Sequence, residues 1–309
     1  MLMKKRIITT GGLILLFVLG TIRPSNAADL EARQWSHLPM KTNFAGVVYA
    51  YTEADIFLDP VFLIEDAEME LQTWAGKYIR TFELFDKSAR IDLTQAYLKG
   101  EWEGLLDGAP ASLSREGFSD TFARIAVNLY GAPPLQGKEF AEYRSKINSE
   151  TILGAGLAMR FPTGEYMEDK LINLGENRFA FRPQIGGIRK WGKWTLESTT
   201  QVAFYTENDE FFNGKKLEQD PLSITHGHLI YNFKPGLWAA ASVGFDYGGE
   251  KTVNGIKQDD KKQDIAWALS FSYPINRQYG IKIAYIGSRT LVSTGLDTNT
   301  LSVALSAHW

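Results

Sequence analysis

From residue 43 to the end of the chain, apolar and polar residues alternate in short runs, the period-two signature of strands with two unlike faces. The run at 237–247 is the cleanest. It sets Leu237, Ala239, Ala241, Val243, Phe245 and Tyr247 against Ala240, Ser242, Gly244 and Asp246, with Trp238 alone out of pattern. At 265–273, Ile265, Trp267, Leu269, Phe271 and Tyr273 oppose Ala266, Ala268, Ser270 and Ser272, and those small residues clear space on their side. Comparable runs at 43–51, 68–82, 88–99, 124–129, 151–161, 178–188, 196–204, 226–233, 279–287 and 301–309 bring the total to about twelve strands. The last of them places Leu301, Val303, Leu305, Ala307 and Trp309 on one face and stops on the aromatic residue.

The connections sort into two kinds. Tight turns at Asp86-Lys87, 189–193, Lys234-Pro235-Gly236 and 274–277 all fall at one end of the strands. Long connections fall at the other end: the acidic 52–67, 100–117 with its GLLDGAP, 162–177, 206–221, 248–263 with Asn254-Gly255, and 288–297. Residues 131–149 are the exception at the short-turn end, where Pro133-Pro134 precedes KEFAEYRSKI, a segment that fits a short helix. An even strand count, one end of short turns, one of long loops, and aromatics such as Trp191, Trp194, Tyr231, Tyr273 and Trp309 near strand ends predict one fold class. It is all-β, a transmembrane antiparallel up-and-down β-barrel of about twelve strands over residues 42–309. Lipid offers a strand edge no hydrogen-bond partner, so such a sheet must close.

Lys4, Lys5 and Arg6, an apolar run over 11–20 and Ser25-Asn26-Ala27 make residues 1–27 a cleaved export signal, with 28–41 expected as a periplasmic N-terminal segment. The 33 Lys and Arg against 36 Asp and Glu give a net charge of −3. Removing the leader takes away four cations and no anion, leaving −7, which argues against a nucleic-acid partner. The absence of cysteine excludes disulfides, thiolate catalysis and cysteine metal sites.

Candidate chemistry is confined to the face predicted to point inward. His226 and His228 share that face with Asn232, and neighbouring strands add Arg182, Gln184, Glu197, Arg124, Arg160, Lys282 and Asp246, alongside Arg90 and Asp92. Rings of such charges select which solutes pass. The other reading is that they pair across the lumen as an internal salt-bridge core and leave no continuous pore. A zinc site at the two histidines would need acids from neighbouring strands, and ordinary pore lining is the expectation there. A barrel-embedded lipid hydrolase would need a nucleophile elbow, and 117–121 (GFSDT) lacks its second glycine. No catalytic residue, metal or cofactor is therefore expected.

Several segments carry a family likeness: RQWSHLP and TNF (33–39 and 42–44), LYGAPPLQGKEFAEYR (129–144), GEYMEDKLINLGENRFAFRPQIG (164–186), LEQDPL (217–222) and KPGLWAAASVGFDYGGEKTVNG (234–255). The chain resembles the putative MetA-pathway of phenol degradation family over nearly its whole mature length. That resemblance implies a Gram-negative outer-membrane transporter for aromatic or hydrophobic compounds, and a structural barrel without transport is the alternative. The expected partners are outer-membrane lipids and lipopolysaccharide, a small-molecule solute, and the barrel assembly machinery acting through the strand that ends at Trp309.

Overall fold

The computed structural model describes residues 30–57, 64–106 and 109–309; the export signal expected at 1–27 lies outside them. Strands β1 (Asn43–Phe57), β2 (Ile64–Leu84), β3 (Lys87–Leu106), β4 (Ala109–Phe118) and β5 (Thr121–Tyr130) are followed by helix α1 (Gly137–Lys146). Then come β6 (Ser149–Phe161), β7 (Ala180–Trp191), β8 (Trp194–Tyr205), β9 (Asn208–Phe211), β10 (Lys215–Gln219), β11 (Leu222–Lys234) and β12 (Leu237–Gly248). The chain ends with β13 (Lys251–Val253), β14 (Ile256–Lys257), β15 (Lys262–Pro274), β16 (Tyr279–Thr290) and β17 (Gly295–His308).

The large sheet is a closed antiparallel ring. Its 13 strands run from β2 through β1 and β17 round to β3 and β4, and a further β2–β3 pairing shuts the circle. β4 and β5 pair with the same edge of β3 end to end, Tyr97 to Phe118 above and Thr94 to Phe122 below, so they are one wall strand broken at Ser119-Asp120. The barrel therefore has 12 strands. β1 and β17 close the two ends of the chain on each other, from Phe44 opposite His308 to Phe57 opposite Gly295.

The outward face is apolar and uncovered, with Val243 and Leu269 at 54% and 62% exposure. In water such a belt would aggregate; in a bilayer it is the wetted surface. The belt is bounded. Glu53, Glu70 and Glu101 lie side by side across β1, β2 and β3, and Asp55, Glu68 and Glu103 form the next row, all on the outward face. Carboxylates do not sit in hydrocarbon, so these rows stand clear of it. With 21 and 20 residues, β2 and β3 are far longer than the roughly 10 residues a tilted spanning strand needs.

Three of the expected loops are thus corrected. Residues 100–117 continue β3 and form β4, because above the membrane both faces are wet and the apolar–polar contrast that marks a spanning strand fades. The loops at 206–221 and 248–263 pair into a four-stranded sheet, β14-β13-β10-β9, across the long-loop end. Asn254 and Gly255, both at positive φ (48° and 79°), make its tight turn. The first short turn is also shifted by one residue, to Phe85-Asp86, both at positive φ, with β3 starting at Lys87.

Candidate functional site

The interior of the ring is filled by two pieces of chain that are not part of it. From the short-turn end comes the segment 30–42, expected from sequence as a periplasmic segment over 28–41. In the structure it runs inward: Met40 N–H donates to Leu135 O at 2.8 Å, and Thr81 Oγ1 donates to Pro39 O at 2.6 Å. Trp35, 1% exposed, packs with Ala126, Ala132, Ile152 and Ile188, and its Nε1 donates to Thr199 Oγ1 at 2.8 Å. Gly154 and Gly186 lie directly opposite each other on β6 and β7, and a Cβ on either would come within 2.5 Å and 2.2 Å of the indole. The pair forms a seat that only glycine leaves open. Leu30 is buried among Ala266, Ala268, Ala284 and Ile286, the first two being small residues whose cleared space the sequence pattern predicts.

Polar contacts fix the segment. Arg33 has φ +76°, which turns two successive N–H groups toward one point, a concavity suited to an anion. Glu197 fills it, accepting from Arg33 N at 2.9 Å and Gln34 N at 2.6 Å, and is itself fully buried. The Arg33 guanidinium lies 5.1 Å over the Trp238 ring and donates to Asn232 Oδ1. This explains the break that Trp238 makes in the β12 pattern: it faces inward, under the segment. Glu31 accepts from Lys77 and lies 3.4 Å from Lys282. Burial pushes the Glu31 carboxyl up, but the two ammonium groups outweigh it and hold it well below the usual carboxylate range. At the mouth, His37 Nε2 donates to Pro133 O at 2.7 Å and the ring meets Phe140 and Tyr143 of α1 edge-on at 4.9 and 5.2 Å. The helix is the one fitted to this stretch from sequence, and with no buried residue of its own it lies beneath the mouth rather than in the lumen.

The second piece enters from the long-loop end. Residues 171–176 are all buried. Ile172 and Leu174 pack against the inward faces of Ala54, Ile56, Met69, Leu71 and Trp102. Leu171 joins Phe211, Leu217 and Val253 of the small sheet. The break at Ser119-Asp120 turns Asp120 inward, where its two oxygens accept from Gly164 N and Glu176 N, each at 3.0 Å. Arg160 and Arg178 both donate to Glu176, the latter at 3.1 Å. The loop runs so close to the wall that a Cβ on Gly164 would stand 2.6 Å from Asp120 N.

All the sequence-predicted site residues face into the ring. His226 and His228 are buried, 5.2 Å apart by ring centroid, with His228 Nδ1 2.8 Å from Ser242 Oγ. Leu30 sits over Gly244 beside His226, so the pair lies beneath the N-terminal segment rather than against open water. Arg124 donates to Gln184 Oε1 at 2.7 Å and to Asp92 Oδ2 at 3.0 Å. Asn232 also donates to Lys193 O at 3.0 Å. Arg182 and Asp246 are buried on the same inward face, and Lys282 is half-buried there. The predicted set thus divides between the two inserted pieces: Glu197, Asn232 and Lys282 hold the first, and Arg160 holds the second. Trp35, Glu31, Arg33, Asp120 and Glu176 complete the site without belonging to the set that the sequence pattern predicts. The one available signal was an aromatic and charged RQWSH before the first strand, facing a glycine pair at mid-wall.

A family model described as Putative MetA-pathway of phenol degradation matches residues 65–286. Among solved structures, the COG4313 outer membrane channel from Pseudomonas putida F1 is 19% identical with a TM-score of 0.74, the match covering 91% of this chain and all 100% of that one. The transport unit of the autotransporter AIDA-I from Escherichia coli is 8% identical with a TM-score of 0.48, covering 90% and 91%. No curated protein matches the sequence. The first structure shares the fold, and the fold with its apolar belt is that of a Gram-negative outer-membrane barrel.

Proposed function

Given that the chain belongs to the Putative MetA-pathway of phenol degradation family, we propose that it is an outer-membrane channel admitting small aromatic or hydrophobic compounds. One observation carries this reading: the barrel wall has apolar patches on its inward face, and several of them are covered by pieces of chain that are not part of the ring. A water-filled porin lumen is polar. Here Ile56, Met69, Leu71 and Trp102 line the outer half and Ile152 and Ile188 the inner half. Displacing Ile172 and Leu174 above, or Trp35 below, exposes apolar surface to a solute without breaking a single ladder hydrogen bond. With no cysteine in the chain, nothing covalent holds either piece.

The test is uptake by intact cells in an otherwise channel-depleted outer membrane. Cells making the full chain are expected to take up labelled toluene several-fold faster than cells without it, while a sugar of similar size gains nothing. Equal toluene uptake with and without the chain would leave a barrel without transport as the surviving reading.

A further inference from the structure

We propose that one wall of the lumen, carried by β5, β6 and β7 with Tyr205 of β8, is a binding path for planar aromatic anions, aromatic carboxylates foremost. The proposal rests on the channel reading above and names a solute class for it. Three inward-facing guanidiniums climb this wall, Arg178 of the adjoining loop adds a fourth, and each lies over a ring. Arg124 lies 4.8 Å over Trp35, Arg182 5.9 Å over Phe122, Arg160 5.9 Å and Arg178 4.7 Å over Tyr205. The strand register makes the series continuous. Ala158 lies between Arg124 and Arg182 on neighbouring strands, and Phe122 is directly opposite Arg160. Ala158 and Ala180, both 0% exposed, are the short side chains that let guanidiniums reach across to rings two strands away.

Guanidinium beside an aromatic platform is the pairing that recognises a ring bearing a carboxylate: the fork binds the carboxylate and the flat face stacks the ring. The present contacts leave hydrogen-bonding capacity for such a guest once the N-terminal segment moves aside. Arg90 and Arg124 share the one carboxylate of Asp92, at 3.1 and 3.0 Å. Arg124 Nη2 and Arg178 Nη1 are buried N–H groups with no acceptor among the described residues, a costly arrangement that an incoming carboxylate oxygen relieves. Trp35 occupies the face of Arg124 that a solute ring would take, so the N-terminal segment holds the site with an aromatic of its own. Neutral hydrocarbons need none of these cations; an apolar wall would serve them as well.

The full mature chain in planar bilayers gives the test. Reversal potentials are measured under gradients of potassium benzoate and of potassium cyclohexanecarboxylate, which match in charge and size but differ in aromaticity. The wild type is expected to favour benzoate over cyclohexanecarboxylate. Arg124→Gln and Arg182→Gln are expected to lower that preference by about tenfold. Phe122→Leu keeps every charge, and it is expected to remove the aromatic preference while carboxylate still passes. Heat-modifiable migration reports whether each variant has folded, and if Arg124→Gln has not, Phe122→Leu and Arg182→Gln decide. Equal permeability of the two anions in the folded wild type, no benzoate current at all, or a preference that survives all three substitutions would overturn the proposal and leave the arginines as an internal ion-pair frame. Toluene uptake is a separate readout, so failure of the channel reading and failure of the aromatic-anion path are told apart.

Discussion

At the scale of single residues, the N-terminal segment is seated in the lumen by one indole on two glycines. Trp35 is held by packing, by its bond to Thr199 and by the Arg124 guanidinium on its face. Truncating a buried tryptophan to alanine costs about 3 to 5 kcal/mol, and about 3 kcal/mol is a shift of roughly two orders of magnitude between seated and displaced segment. Trp35→Ala is therefore expected to raise single-channel conductance, and Gly186→Val, which fills the seat while leaving the indole intact, is expected to do the same. If both variants conduct as the wild type does, the segment does not set the resistance of the lumen. None of this was legible at 30–41, which has no strand periodicity and makes its contacts with residues up to 251 positions away. What the sequence did display was the socket: Gly154, Gly156 and Ala158 appear on the inward face of β6 as side chains that are missing, with no indication of what fills the gap.

At the scale of elements, the break between β4 and β5 is the device that brings the outer loop inside. A regular strand would point residue 120 along the alternation already running; the interruption at Ser119-Asp120 instead turns a carboxylate inward to catch two loop N–H groups. Removing one partner of a buried ionic cluster costs about 3 to 5 kcal/mol, enough to release the loop while the ring, whose ladder does not involve this side chain, stays closed. Asp120→Ala is accordingly expected to make 162–179 cleavable by external protease on intact cells, with heat-modifiable migration unchanged. A loop as resistant as the wild type's would mean that Ile172 and Leu174 hold it by packing alone. The twelve wall strands were readable because lipid on one side and lumen on the other force a strict contrast of faces. Where that contrast ends, at 100–117 and in the paired hairpins of β9, β10, β13 and β14, the same backbone geometry leaves no periodic trace and reads as loop.

At the scale of the whole molecule, the barrel is organised inside out: its outward face is the apolar one, and its inward face holds most of the buried charge. Leu269 and Ser270 are adjacent on β15 and share one backbone environment, yet Leu269 is 62% exposed on the belt and Ser270 is partly buried toward the lumen. Arginine on the lipid face costs about 2 to 4 kcal/mol near the bilayer midplane, whereas lumen-facing positions carry no such penalty. Leu269→Arg is therefore expected to cut the yield of folded, outer-membrane protein sharply, and Ser270→Arg to leave it near the wild-type level. The measurement is the fraction of outer-membrane protein that shifts migration only after heating, since the closed hydrogen-bonded ring persists in detergent until it is melted. For a soluble barrel the order would reverse, because arginine at an exposed leucine is harmless in water and arginine at a partly buried serine is not. Comparing two neighbouring positions removes differences in strand propensity and register, so the sign of the result depends on which face meets lipid.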